Sequence, residues 1–342
     1  MDGAPSDLIE ECYDRGWTDG LPVVPPTQDR VRAMIADRDP DAPVAILPPS
    51  GGLATVEKIA ANAVMAGCIP AAMPVVIAAV RAVSDPAFKL DRVLTTASSQ
   101  APMLLINGPA ARELDLASGF DALGAACRAN ATIGRALQLV LRNVASLRPG
   151  GLPHATLGHP GHLGFCFAEN HALSPWPEYH VHRGLPASRS TVTVYPAESP
   201  LCIVDMGRTD PNAVLDTIAT STAIPGTYNA FFREELWFVL SPQHATTFAA
   251  AGWSREDLRD ALYERVRLPA HELRGRGLYG YIDDLMPPHW LDEGDGGDVP
   301  LVGDPDRIRI AVAGGDFGGY TAVIFGEGES VTVPIETEGA AA

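Results

Sequence analysis

The stretch TVTVYPAESPLCIVDMGRTDPNAVLDTIATSTAIPGTYNAFFREELWFVL, residues 191–240, decides the fold. Thr191 to Tyr195 alternates polar and apolar residues as a half-buried strand does. Leu201 to Asp205 is a short apolar run and reads as a second strand. Pro211 to Ile224 has helical character and begins directly after Asp210, a residue suited to capping the first turn. Glu235 to Leu240 returns to strand. Strand and helix therefore alternate, which is the pattern of an α/β architecture.

The same alternation continues on both sides. Downstream, Ser254 to Arg267 reads as a helix, with Ser254 and Asp257 spaced as a capping box. Arg307 to Val312, Tyr320 to Phe325 and Ser330 to Ile335 read as strands that close the sheet. Upstream, Thr27 caps a short helix through Ala36, and Val44 to Leu47 reads as a buried strand. Helices follow over Thr55 to Ala66 and Pro74 to Val83, and strands over Val93 to Thr96 and Met103 to Asn107. A long helix is expected from Asp121 to Ser146, because Ile133, Leu137, Val140, Leu141 and Val144 recur at helical spacing. The expected fold is thus α/β, either two similar-sized α/β lobes or one large α/β domain with mixed sheets. Four divisions follow: a Pro-rich lead-in and short helix over 1–42, a first lobe over 43–150, a histidine-rich loop over 151–190, and a second lobe over 191–342. The loop would then lie between the lobes, a common place for a small-molecule site.

Composition narrows the function classes. The chain has 342 residues, 46% of them hydrophobic and 20% charged, so it can bury a sizeable core. Its formal net charge is −17, with 25 Lys and Arg against 42 Asp and Glu. That balance argues against nucleic acid and anionic membrane surfaces as partners. The start, MDGAPSDLIEECYDRGW, has neither the basic end nor the apolar core of a secretory signal, and no run of apolar residues is long enough to span a membrane. The five cysteines are widely spaced and form no CxxC, which favours a reducing cytoplasm over a disulfide framework.

Residues 147–190 break the alternation with Gly, Pro and His in place of any period. Six of the nine histidines fall here: His154, His159, His162, His171, His180 and His182. Imidazole serves both proton transfer and metal binding near neutral pH. Three readings are open. In the first, His180 and His182 lie on a strand with both rings on one face, and Glu169 or His171 completes a site for one divalent transition metal. In the second, which needs no cofactor, Glu169 and one of His180 or His182 exchange protons while Arg183 holds a substrate carboxylate. In the third, the histidines satisfy backbone groups in turns, above all His154, His159 and His162.

Other residues carry weaker signals. Cys166, between Phe165 and Phe167, is either a nucleophile near histidine or a small buried apolar residue. GGDFGG at 314–319 matches no phosphate-loop pattern and reads as a tight turn or a close backbone approach to a ligand. PSGG at 49–52 precedes a helix and could present backbone N–H groups to an anion. Asn62, Asn130, Thr132 and Arg135 put polar groups on apolar helices. They either bond nearby backbone or, in the case of Arg135, enter the cleft as an anion clamp.

Taken together, DGLPVVPPT (19–27), NAVMAGC (62–68), ANATIGRAL (129–137), FCFAEN (165–170), SPWPEYHVHRG (174–184) and VTVPIE (331–336) resemble the bacterial UGSC-motif (seleno)protein group. The resemblance is collinear over nearly the whole chain. It implies Sec or Cys chemistry by the group's name, yet this chain has no UGSC or CGSC tetrapeptide. The resemblance also implies Glu169, Asn170, Trp176, His180 and Arg183 as site residues.

The leading expectation is an enzyme of small-molecule metabolism that acts on a polar or carboxylated substrate by general acid/base chemistry, as a lyase, hydratase or hydrolase. Glu169 and His180 would move protons, with Cys166 and His182 as further catalytic candidates. Asn170 and Arg183 would bind and polarise, Trp176 would form an apolar wall, and Arg135 and Asn62 are further binding candidates. The alternatives are a mononuclear metal-dependent hydrolase on His180, His182 and His171 or Glu169, and a non-catalytic binding or redox-partner subunit. A homodimer or a partner subunit is the expected assembly.

Overall fold

The computed structural model describes residues 5–124, 127–145, 155–274, 276–278 and 297–336. The fold is α/β. The chain forms two compact units: one comprises Met1–Glu169, His180–Pro196 and Ser330–Ala342, the other Asn170–Tyr179 and Ala197–Glu329. The linear division at residues 42, 150 and 190 is thereby replaced by a discontinuous one. The histidine-rich stretch is not a separate module, because its residues are shared out between the two units.

The first unit begins with α1 (Pro5–Asp14) and α2 (Gln28–Ile35), followed by a hairpin of β1 (Pro43–Leu47) and β2 (Gly52–Thr55). The hairpin corrects two expectations. The first strand is only partly covered, with Ile46 exposed, and PSGG is its turn rather than a helix N-terminus. Next come α3 (Val56–Ala66), α4 (Met73–Ser84), α5 (Leu90–Thr95) and β3 (Ala101–Asn107). Thr55 Oγ1 accepts from Lys58 N to start α3. Val93 and Leu94 are buried on α5, not in the expected strand; their packing overrides β-branched propensity. After α6 (Pro109–Glu113), α7 (Arg128–Val144) is shorter than its periodicity suggested. Cys127 before it is extended, and Asp121 and Gly124 close a turn further upstream. Ile133, Leu137 and Leu141 are fully buried, at about 1.5–3 kcal/mol each. That outweighs the poor helix propensity of Asn130, Thr132 and Gly134, which costs under about 1 kcal/mol per residue.

Then follow β4 (Cys166–Ala168), α8 (Tyr179–His182) and β5 (Thr191–Ala197). β4 pairs parallel with β3 in the register Leu104↔Cys166, Leu105↔Phe167 and Ile106↔Ala168. All seven residues of β3 and all seven of β5 are buried, the mark of strands covered on both faces.

The second unit contains β6 (Leu201–Val204), α9 (Pro211–Thr222), α10 (Asn229–Phe232), β7 (Leu236–Leu240), α11 (Pro242–Ala250), α12 (Arg255–Arg265), β8 (Arg267–Pro269), α13 (Ala270–Leu273), β9 (Asp298–Pro300), β10 (Ile308–Val312) and β11 (Tyr320–Ile324). Asp210 caps α9, and Ser254 and Asp257 form the expected capping box of α12. The sheet order is β10-β7-β11-β6; β10 runs parallel to β7, and β11 runs antiparallel to β7 and β6. The core gathers around Phe238, Leu240 and Phe248. The last strand, β12 (Val331–Pro334), pairs antiparallel with β5, so the first unit's sheet runs β12-β5-β3-β4. β11 and β12 therefore do not close one sheet. Among the described residues no single helix is long and apolar enough to cross a membrane.

Candidate functional site

Parallel strands deliver whatever follows them to one edge of the sheet, and ligand sites form outside that edge. β3 ends at Asn107 and β4 is followed by Glu169, so the register Ile106↔Ala168 brings the two side by side. Asn107 Nδ2 donates to Glu169 Oε2 at 2.7 Å. Both residues are buried, Asn107 completely and Glu169 to within 2%. The neighbouring strand contributes its start to the same edge. Ala110 N, in the first turn of α6, donates to Ser190 Oγ at 2.9 Å, and Thr191 begins β5.

Two buried polar atoms at these adjoining strand ends, Asn107 Oδ1 and Thr191 Oγ1, have no hydrogen-bond partner. Each costs about 1–3 kcal/mol unless something occupies it. Sequence reasoning singled out Glu169 but missed Asn107, Ser190 and Thr191. The available signal was shared grammar: MLLIN and FCFAEN both end an apolar run on a polar residue.

His180, also in the first unit, is wholly buried with neither ring nitrogen hydrogen-bonded. It is therefore not hydrogen-bonded to Glu169. Its neighbourhood in sequence is helical, not extended. Residues two apart on a helix are about 200° apart around its axis, so His180 and His182 cannot present both rings to one face. His182 is half-buried, and Arg183 and His171 are exposed. Among the described residues no three His, Cys, Asp or Glu side chains are grouped to hold a metal ion. The expected metal set of His180, His182 and His171 or Glu169 is thus not assembled there.

The unpaired imidazole yields a prediction. Replacing His180 by Leu removes two unsatisfied nitrogens at similar volume, so His180→Leu is expected to stabilise the chain by about 1–2 kcal/mol. Urea unfolding checks this. A midpoint that falls would mean the ring is satisfied in solution.

Most other sequence candidates turn out to be structural. Arg135 forms a bidentate pair with Asp19, at 2.7 and 2.8 Å, and donates to Pro22 O at 3.0 Å. Burial opposes the Asp19 charge, but the Arg135 guanidinium outweighs it and holds the carboxyl below its usual range. Arg135 therefore ties the Pro-rich lead-in to α7. Asn170 donates through Nδ2 to Gly314 O at 2.9 Å and accepts through Oδ1 from Leu173 N, so its amide organises a turn. Trp176 Nε1 donates to Trp253 O at 3.1 Å, and its ring faces the Arg255 guanidinium at 5.9 Å. It anchors its segment on the second unit's core. Asn62 donates to Lys58 O at 2.8 Å and accepts from Asn143 at 2.7 Å, and Asn130 bonds Ala117 through both its oxygen and its nitrogen.

Cys166 is buried in β4, where burial pushes its thiol far up, the reverse of what a nucleophilic thiolate needs. Cys68 is pushed up to about 11 by burial as well. His159 and His162 cap a single turn, with His159 Nδ1 accepting from Gly161 N at 3.1 Å and His162 Nδ1 from His159 N at 3.2 Å. His154 lies outside the described residues.

No family model matches the chain. No curated protein matches it either.

The second unit holds a polar centre of its own. His244 on α11 is buried, with Nε2 at 3.1 Å from Asp205 O and Nδ1 at 2.8 Å from Thr321 Oγ1. A carbonyl only accepts, so the proton sits on Nε2 and the Thr321 hydroxyl donates to Nδ1. This uses the ring in its neutral form. It also explains the last residue of GGDFGG: a side chain at Gly319 would sit 2.7 Å from His244 Nε2. The close backbone approach is to the Asp205 carbonyl, 2.3 Å from the same Cβ position, and to this histidine. Burial holds the imidazole below its ordinary 6.5, against the opposing pull of the Asp205 carbonyl and charge. A group depressed in the folded state contributes its full stability above 6.5 and loses it as pH falls below that value. Unfolding midpoints measured from pH 8 to 5 are expected to fall below 6.5 in the wild type and to fall less in His244→Gln. Parallel curves would remove the assignment.

Proposed function

We propose that the chain is an enzyme of small-molecule metabolism that acts on a polar or carboxylated substrate by general acid/base chemistry, of the lyase, hydratase or hydrolase type. The observation that carries this reading is the buried Glu169 carboxyl beside the Asn107 amide, at the ends of two parallel strands where Asn107 Oδ1 and Thr191 Oγ1 await partners. The Asn107 amide fixes the plane of the Glu169 carboxyl, and a carboxyl held in a set plane is placed to take and give a proton. Asn107 Oδ1 is an acceptor. Thr191 Oγ1 can serve either way.

His180 is the second proton-handling group in this proposal. An imidazole kept buried with two unbonded nitrogens is costly to the fold, and such costs concentrate at working sites. The resemblance to the UGSC-motif group points to the same two residues. Arg183, exposed on the chain after α8, remains the candidate for a substrate carboxylate.

The test is hydrogen exchange in D2O. Abstraction of a proton next to a carboxylate leaves a deuterium in its place, which NMR follows without knowledge of the full reaction. The chain is incubated with a panel of hydroxy, keto and unsaturated carboxylates. Exchange that the wild type catalyses and Glu169→Gln does not is the supporting result. Absence of exchange and turnover across the panel, or exchange unchanged in both Glu169→Gln and His180→Ala, would end the proposal.

A further inference from the structure

At the far end of β3 from Glu169, the first unit contains a cavity of about 410 Å³. It is bounded by the start of β3, α5, the end of α7 and the single turn that His159 and His162 cap. Pro102 lines it and Asn107 ends the same strand, so roughly 16 Å of β3, at about 3.3 Å per residue, separates it from the Glu169 group. Val93, Leu94 and Pro102 give it an apolar wall. The size suits a small molecule, for which pockets run to roughly 300–1,000 Å³.

Arg142 lines this cavity with its charge unspent. Among the described residues it is the one half-buried cation with neither a hydrogen bond nor an ion pair. Other covered arginines are bonded: Arg135 to Asp19, Arg255 to the Ile310 carbonyl and Arg309 to Glu235. Arg142 Nε is shut off from solvent, whereas its two Nη groups lie open and no protein atom accepts from them. A guanidinium drawn partly out of water is costly unless an anion or an acceptor meets it. Asp19, the carboxylate in the same lining, does not meet it, because Arg135 engages both of its oxygens.

A second donor stands in the same wall. His162 turns Nδ1 to the His159 backbone, 3.2 Å from its N, and leaves Nε2 without a protein partner. With Nδ1 accepting, Nε2 carries the ring proton. The cavity thus offers an open guanidinium and an imidazole N–H, in a protein of formal net charge −17. The guanidinium fork matches a planar carboxylate. Because the Asp19–Arg135 pair is neutral and Arg142 supplies one uncompensated charge, a ligand with a single negative charge balances the site.

We propose that this cavity is a second small-molecule site, and that it takes an organic monocarboxylate with a compact apolar body. The carboxylate meets the Arg142 fork and His162 Nε2, and the body lies against Val93, Leu94 and Pro102. The site is independent of the reaction proposed for Glu169.

Three probes test it by titration calorimetry on the full chain: benzoate, benzamide without the charge, and inorganic phosphate without the apolar body. The expected result is binding of benzoate with Kd below about 1 mM, and of the other two at least about tenfold more weakly. Arg142→Met keeps a stem of similar length without the charge and should abolish benzoate binding. Its urea midpoint without ligand should be no lower than that of the wild type, because the cation it removes has no partner in the fold. Arg142→Lys keeps the charge without the fork and should weaken binding by about tenfold. Glu169→Gln should leave it unchanged, which separates a failure here from a failure of the proposed reaction. The proposal is overturned if benzoate does not bind, if the three probes bind alike, or if binding survives in Arg142→Met. A lowered midpoint in Arg142→Met would overturn it as well, since the guanidinium would then be satisfied within the protein.

Discussion

Glu169→Gln is expected to lower turnover by about 10²–10⁴-fold while leaving the fold intact. The substitution keeps the shape of the side chain and keeps an oxygen that can face Asn107 Nδ2, so the 2.7 Å hydrogen bond persists. What is lost is the ability to accept and return a proton. In barrier terms the loss amounts to about 3–5 kcal/mol, which is more than any rearrangement of a retained hydrogen bond would produce. Glu169→Leu provides the contrast. It leaves the Asn107 amide without its acceptor at a fully buried position, so it should damage stability as well as activity. A merely structural Glu169 would show the second effect without the first. Turnover and urea midpoints of both variants decide between the roles, and equal activity in wild type and Glu169→Gln would remove Glu169 from the chemistry.

Why one member of this pair was visible in the sequence and the other was not follows from how each signal arises. Local signals held up well. Thr55, Asp210 and Ser254 stand where helices begin, because capping is decided within four residues. The helical spacing of Ile133, Leu137 and Leu141 marks the buried face of α7. Non-local pairing is harder to see. β4 has only three residues, within a stretch rich in Gly, Pro and His, and it is a strand because β3 lies beside it. Glu169 stood out through its neighbours, but its position at a strand end depends on that pairing, and so does its contact with Asn107, 62 residues away.

Arg135 shows the same dependence on distant residues. A cation on an apolar helix suggests a ligand clamp, and its true partner, Asp19, is 116 residues distant. The histidine cluster is likewise spread over separate local structures. Its density is real, but His159 and His162 serve one turn and His180 and His182 fall on one short helix. Among the described histidines of this stretch, only His180 keeps a feature that structure alone could reveal, an imidazole shut away from solvent without a bond.

The largest stability effect is expected at Gly108, the residue that turns the chain from Asn107 into α6. Its φ is +83° with ψ −165°, a backbone region that side chains strongly resist. A Cβ added there would lie 2.3 Å from Arg189 O and 2.9 Å from Ser190 Cα. Both obstacles are backbone, so no side chain can swing aside. To make room, the entry to β5 must shift, and that entry is held from both sides: Ser190 Oγ accepts from Ala110 N, and Ser190 O accepts from Ile335 N beyond β12. Gly108→Ala should therefore cost about 3–5 kcal/mol, at the upper end of single-site effects. Gly184→Ala is the matched control. Its φ is +85°, but nothing lies within 4 Å of the added Cβ, so only the backbone penalty of about 1–2 kcal/mol applies. The difference between the two urea midpoints reports the collision together with the cost of ψ −165° at Gly108. Because the shifted strand end carries Thr191 and adjoins Asn107, turnover should fall in Gly108→Ala even below its unfolding midpoint. Equal midpoints for the two variants would mean that the end of β3 and the start of β5 are not packed against each other in this way.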